Sequence, residues 1–305
     1  MRITSVGTFH MENQKKAYLF AGLAIFFWST VATVFKIALR HLDFLHLLLF
    51  ASATSVILMF FILFFKGDLY MIKKSSRTDI GKSMVFGLLN PFLYYMILFK
   101  AYSLLPAQVA QPLNMVWPIV LVFLSVPLLK HKVKRKSYLA LAISFAGVYF
   151  ISSQGELFQP GRSDTLGIIL ALGSSIIWSL FFIYNVRDQR MEEVKLFLNF
   201  LFAFCYIFLF ILIFSELKLP SVKGLAAAVY TGCFEMGITF VFWLKALKYT
   251  RSSDQISNYV YLAPFISLIF ISVFVGENIY FTTIIGLMLI VCGILIQRIG
   301  YQKQE

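Results

Sequence analysis

Between residues 17 and 298 the chain keeps returning to apolar runs of roughly 20 residues, the length a helix needs to cross the hydrocarbon core of a bilayer. Ten runs can be drawn, at about 17–38, 44–65, 80–101, 107–129, 137–153, 166–186, 195–214, 225–246, 257–275 and 280–298. Each is too apolar all round to be an amphipathic surface helix. Each is also too long for a spanning strand, which needs about 10 residues of alternating character. The expected fold class is an all-α integral membrane protein with ten transmembrane helices. Composition agrees: 60% of the 305 residues are apolar and 13% are charged, about half the roughly 25% of a soluble domain. These values exclude a disordered chain and argue against an ordinary soluble enzyme.

The net charge of +13 does not point to nucleic acid, because the charges sit in short clusters between apolar runs. Only Lys36, Arg40, Lys100, Arg162, Lys218 and Lys223 fall at one set of alternate loops and span ends, and the rest of the 27 Lys and Arg fall at the other set. Such a bias over short loops marks the cytoplasmic side. It places both termini in the cytoplasm and requires an even number of spans. The polar start, MRITSVGTFHMENQKK, has neither the apolar core nor the cleavage site of a signal peptide, and Met11 offers a second start. Cys205, Cys233 and Cys292 each lie inside an apolar run and read as small buried residues rather than a disulfide or metal set.

The halves resemble each other at an offset of about 145–150 residues. Trp28-Ser29 matches Trp178-Ser179, Phe99-Lys100-Ala101 matches Leu244-Lys245-Ala246, Pro118 matches Pro264, and Gly147 matches Gly293. Five spans per half is an odd number, so the second half enters the membrane from the opposite face. The expected organisation is a tail over 1–16, a five-helix repeat over 17–153, an external linker over 154–165, an inverted repeat over 166–298 and a tail over 299–305. Inverted repeats place a site near the midplane between the halves and supply two arrangements for alternating access.

Ten spans, the two Trp-Ser pairs, Lys36 eight residues after Trp28, the pairs Lys100-Ala101 and Lys245-Ala246, and Gly276-Glu277 before the last span resemble the drug/metabolite transporter superfamily. More narrowly, they resemble a protein with two EamA-type repeats. The resemblance implies a secondary transporter of small metabolites, often amino acids or related compounds and commonly an exporter. It also implies a central cavity lined by spans 1, 3, 4, 6, 8 and 9. Two features depart from the pattern: Lys130-His131 stands where the first half would mirror Gly276-Glu277, and no arginine opens span two.

Glu235 is the one acid in the middle of a span. An ionisable group at that depth costs at least about 2.5–3.5 kcal/mol and should face water or a partner. It is the expected proton-coupling and substrate-binding residue, with structural pairing to a neighbouring span as the alternative. Its repeat counterpart is Asn90, beside Pro91, which frees backbone groups that need partners; lining the site and structural hydrogen bonding are the two readings of it. Gln111 and Asn114 share a helix face, and Pro118 interrupts the helix at Asn114. In the second half Pro264 does the same near Asn258 and Tyr261, a pairing expected around a midplane site, with packed kinks satisfied by neighbouring helices as the alternative. Trp28 and Trp178 lie deeper than interfacial tryptophans usually do and are expected either to wall the site or to serve repeat-related packing. Lys36, Lys100 and Lys245 read as snorkelling side chains, with a role for Lys36 at the outer mouth as an alternative. His41, Asp43 and His46 mimic a metal set, but their spacing and short loop favour an ordinary turn.

The expected function is secondary active transport of a small polar metabolite, an amino acid or amine, with protons as a second partner and the lipid bilayer as solvent. No cofactor is expected. A membrane-embedded enzyme would need convergent acid–base groups and a cofactor or metal motif, and a channel would show charge rings or filter loops. Neither pattern stands out.

Overall fold

The computed structural model describes residues 4–129, 135–156, 163–250, 256 and 259–301. Among these residues there are no strands. The spans are numbered here α1 (Thr4–Leu39), α2 (Phe44–Lys66), α3 (Arg77–Leu104), α4 (Ala107–Leu128) and α5 (Arg135–Ser152) in the first half. The second half holds α6 (Thr165–Asn185), α7 (Glu192–Phe214), α8 (Val222–Tyr249), α9 (Val260–Val275) and α10 (Phe281–Tyr301). Seven of these are long and apolar enough to cross a membrane by length and composition: α1 to α4 and α6 to α8. The apolar parts of α9 and α10, and α5, are shorter. α1 begins at Thr4, ahead of the expected start at 17.

Local sequence explains the ends. Asp43 accepts the N–H groups of Leu45 and His46 at the start of α2, and Gly67 closes that helix with φ +73°. Ser76 and Asp79 form a reciprocal capping box on α3. Asp164 and Ser221 cap α6 and α8 through the N–H groups of Gly167 and Gly224.

The principal helix pairs exchange when the halves are exchanged. α1 packs on α8 as α6 packs on α3. α1 meets α9 as α6 meets α4, and α2 meets α8 as α7 meets α3. The pairs α2–α7 and α5–α10 map onto themselves. This is the pattern of two five-helix repeats related by a twofold axis in the membrane plane. α5 and α10 touch backbone to backbone, since a Cβ on Gly147 or Gly286 would press into the other's carbonyl. The outer surface displays large apolar side chains such as Phe65, Ile213, Phe274 and Phe281, far more than a water-soluble monomer exposes. The chain is a multi-pass membrane protein.

Candidate functional site

Two helices break at equivalent depths. α3 departs from helical geometry at Asn90 (φ −145°, ψ 118°), within a wide turn over Leu88–Leu93 that contains Pro91. α8 has a wide turn over Thr231–Glu235, followed by Gly237 (φ −139°, ψ −102°). Such turns release backbone carbonyls that other groups must take up. Ser55 of α2 does so for Met236, donating its hydroxyl to that carbonyl at 2.8 Å.

The α8 break presents Glu235, half-buried, to the first half. Tyr95 Oη, one turn past Pro91, donates to its Oε1 at 3.1 Å. The neighbouring Tyr94 packs on Tyr95 with ring centroids 4.6 Å apart and donates to Asn114 Oδ1 at 3.3 Å. Asn114 Nδ2 in turn donates to Ser174 Oγ of α6 at 2.8 Å. A polar string thus runs from α8 through α3 and α4 to α6, crossing between the halves at each end.

Aromatic rings surround this string. Trp178 lies 5.0 Å from Tyr94, 6.4 Å from Phe240 and 6.4 Å from Trp117. Trp28 lies 6.0 Å from the other side of the chain of rings at Phe240 and 5.5 Å from Trp243. Phe240 therefore bridges the two repeat-related tryptophans. On α1 and α8, Phe27 stacks on Phe234 at 4.2 Å, and Thr30 shares a 2.7 Å hydrogen bond with Tyr230.

Of the residues singled out from sequence, Glu235, Asn114, Trp28 and Trp178 join this one network. Asn90 is buried in the α3 break, with an Oδ1 that has no hydrogen-bond partner. Gln111 lies one turn before Asn114, and its buried Oε1 likewise lacks a partner. Tyr261 packs partly buried against the core at the start of α9. Asn258 lies outside the described residues. Sequence reasoning passed over Tyr94, Tyr95, Ser174, Trp117, Phe240 and Trp243. Helical spacing carried a signal for some of them: Ser174 is four residues before Trp178, and Trp117 is three after Asn114, so each pair shares a face.

The other candidates have structural work. Asp43 Oδ2 bonds His46 Nδ1 at 2.6 Å, and His46 Nε2 accepts the Lys218 N–H at 3.0 Å. That trio ties α2 to the loop before α8. Lys100 and Lys245 rest on the rings of Phe44 and Phe20, each 5.2 Å from the centroid. Among the described residues no group of three His, Cys, Asp or Glu could hold a metal ion.

This geometry, a twofold pair of five-helix repeats with broken helices meeting at mid-depth, defines a membrane carrier class. Residues 15–153 and 165–298 each match the EamA-like transporter family. The chain belongs to that family and is a transporter. An uncharacterized transporter of Clostridium kluyveri is 25% identical over 75% of this chain and 76% of its own. One from Bacillus subtilis is 24% identical over 73% of each chain, and one from Archaeoglobus fulgidus is 24% identical over 92% and 96%. A crystal structure at 20% identity superposes with a TM-score of 0.66 over 95% of this chain and 99% of that one, which shows a shared fold.

Proposed function

We propose that the protein is a proton-coupled secondary transporter that exports a small polar metabolite, an amino acid or an amine, by alternating access. It sits in the cytoplasmic membrane with both termini inside. The observation that carries this reading is Glu235: a carboxyl half-buried at mid-depth in a helix break, hydrogen-bonded across the halves to Tyr95. A group so placed can hold a proton or the ammonium of a substrate, but not both at once, and such competition couples the two fluxes. Trp28, Trp178 and Phe240 supply faces for an apolar or cationic group. Asn114 supplies a polar contact on the far wall, and Asn90, Gln111, Asn258 and Tyr261 are assigned to the substrate's polar groups on the same reading. The two helix breaks let one half rock against the other. The orientation rests on the loop charges, since the basic residues crowd the face bearing the termini.

The test is reconstitution of the purified protein in sealed vesicles loaded with a pH-sensitive dye. Single amino acids and simple amines are added in turn, with and without a pH gradient. Protein-dependent proton movement on addition of at least one of them is expected. Flux of every solute tried being independent of the protein overturns the carrier reading. Solute flux without proton movement overturns the coupling alone.

A further inference from the structure

The face opposite the N-terminus carries a pocket of about 450 Å³ lined by Lys36, Arg40, Ser103, Val275, Gly276 and Glu277. Its charges are engaged with helix ends of other elements. Lys36 Nζ donates to the carbonyls of Tyr102 and Leu105, each at 2.9 Å, and so caps α3. Arg40 Nη2 donates to the Val275 carbonyl at 2.7 Å and caps α9. Glu277, between α9 and α10, accepts the N–H groups of Ala107 at 2.7 Å and Gln108 at 3.1 Å, and so caps α4. Gln108, 2% exposed, completes the tie. Its Nε2 donates to the Asn278 carbonyl at 2.8 Å, and its Oε1 accepts from Tyr280 N and Thr283 Oγ1 at 3.0 and 3.1 Å.

A second layer lies beneath. Phe35 packs edge-to-face on Phe99 and Tyr102 at 4.7 and 5.3 Å, and all three rings are buried. The next ring down is Tyr95, 5.3 Å from Phe99, and it holds Glu235. Charged ties above and a buried aromatic plug below close the site from this face. In contrast, Trp28, Trp178, Phe240 and Trp243 on the other side of Tyr95 are only half-buried.

The two faces are not equivalent in chemistry. The repeat counterpart of Gly276-Glu277 is Lys130-His131, and no Asp or Glu occurs between Asp79 and Glu156. The loop that would mirror the Glu277 clasp has no carboxylate to offer.

We infer that Glu277 is the gate residue of this carrier: its clasp on the start of α4, for which the mirror loop has no carboxylate in its sequence, biases alternating access toward the conformation closed opposite the N-terminus. The inference rests on the carrier reading above. Opening this face must part the α9–α10 loop from α4 and break both bonds to the carboxylate. Charge-assisted bonds of this kind are roughly twice as strong as neutral ones. A glutamine has a single acceptor oxygen and no charge, so it holds the closed state less well.

The test uses the full-length carrier in lipid nanodiscs, with its native cysteines replaced and paired spin labels read by pulsed electron resonance. Labels at Ser103 and Phe274 report on the gated face, and labels at Lys82 and Lys248 on the other; all four side chains are exposed. In Glu277→Gln the ratio of long to short distances at 103/274 is expected to rise roughly tenfold over the parent. The 82/248 pair should shorten in step, a reciprocal change that a merely loosened loop would not produce. Unchanged distances in both Glu277→Gln and Glu277→Ala, or broadening at 103/274 alone, overturn the gate. Flux of amino acids and amines through the parent, assayed on the same preparation in sealed vesicles, judges the carrier reading separately. Flux with unmoved labels sinks the gate and leaves the carrier, whereas no flux of any solute sinks the carrier.

Discussion

At the scale of single residues, Glu235 and Tyr95 form a unit in which one part is chemical and the other positional. Glu235→Gln keeps the shape and removes the titrating group. The expected outcome is transport that no longer responds to an imposed pH gradient, measured by dye-reported flux in vesicles; an unchanged response would remove Glu235 from the coupling role. Tyr95→Phe removes one hydrogen bond to the carboxyl and keeps the ring against Phe99. Coupling should survive it with flux lowered about tenfold, as expected for one bond to an ionisable group. Glu235 was legible in the sequence because a charge in an apolar run must face water or a partner. Tyr95 was not, because it is one of 15 tyrosines in a chain whose residues are 17% aromatic, and only the α8 break decides which ring the acid meets. Asn90 and Gln111 were legible as polar residues at depth, but sequence could not say that their side-chain oxygens are left without partners.

Elements were read with uneven success, for reasons that lie in backbone chemistry. Pro91 announces the α3 break, since proline removes a helical hydrogen bond. The matching break in α8 has no proline; it is made by Gly237 and by Ser55 of another helix, and neither is a local signal. The close seam between α5 and α10 was visible as the repeated Gly147 and Gly293, and Gly293 does face Ser144 and Ala140 there, whereas the closest backbone-to-backbone approach, Gly147 to Gly286, was not legible. Gly286→Leu should force these helices apart and cost about 1–3 kcal/mol, seen as a lower thermal midpoint of the purified protein. An equal midpoint would mean the seam can yield. The loop between α6 and α7 offers a different test. Arg190 bonds both oxygens of Asp188 and also Ser83 at the start of α3. Burial opposes the charge on Asp188, but the bonds from Arg190 outweigh it and hold its pKa below the ordinary carboxylate value. Its contribution is therefore complete above the unfolded value near about 3.9 and is lost as pH falls through the lower folded value. Asp188→Asn should reduce stability at neutral pH by about 3 kcal/mol, because it leaves Arg190 unpaired. It should also flatten the acid limb of a thermal-shift titration, and an acid limb unaltered by the substitution would assign that limb elsewhere.

At the scale of the whole molecule, symmetry and charge make separate demands. The principal helix pairs exchange between halves, which an inverted pair requires because five spans reverse the direction of entry. Packing alone is indifferent to which face is which. The choice is made by loop charge: only Lys36, Arg40, Lys100, Arg162, Lys218 and Lys223 of the 27 basic residues fall on the face away from the termini. Four of those six sit at span ends or just beside them, and three have roles in the structure, Lys36 capping α3, Arg40 capping α9 and Lys100 resting on the Phe44 ring. Very little free positive charge then remains on that face to compete for the cytoplasm, so the orientation should be uniform rather than mixed. In intact cells carrying a version without the native cysteines, a membrane-impermeant thiol reagent should label cysteines placed at Leu42 and Leu217. It should leave cysteines at Ser75 and Arg187 unlabelled until the membrane is opened. The reverse pattern would invert the carrier and turn the Glu277 clasp into a cytoplasmic gate. Labelling of all four positions in intact cells would mean that the 27 charges do not fix one topology, and the asymmetry between the gates would then have no single direction in the membrane.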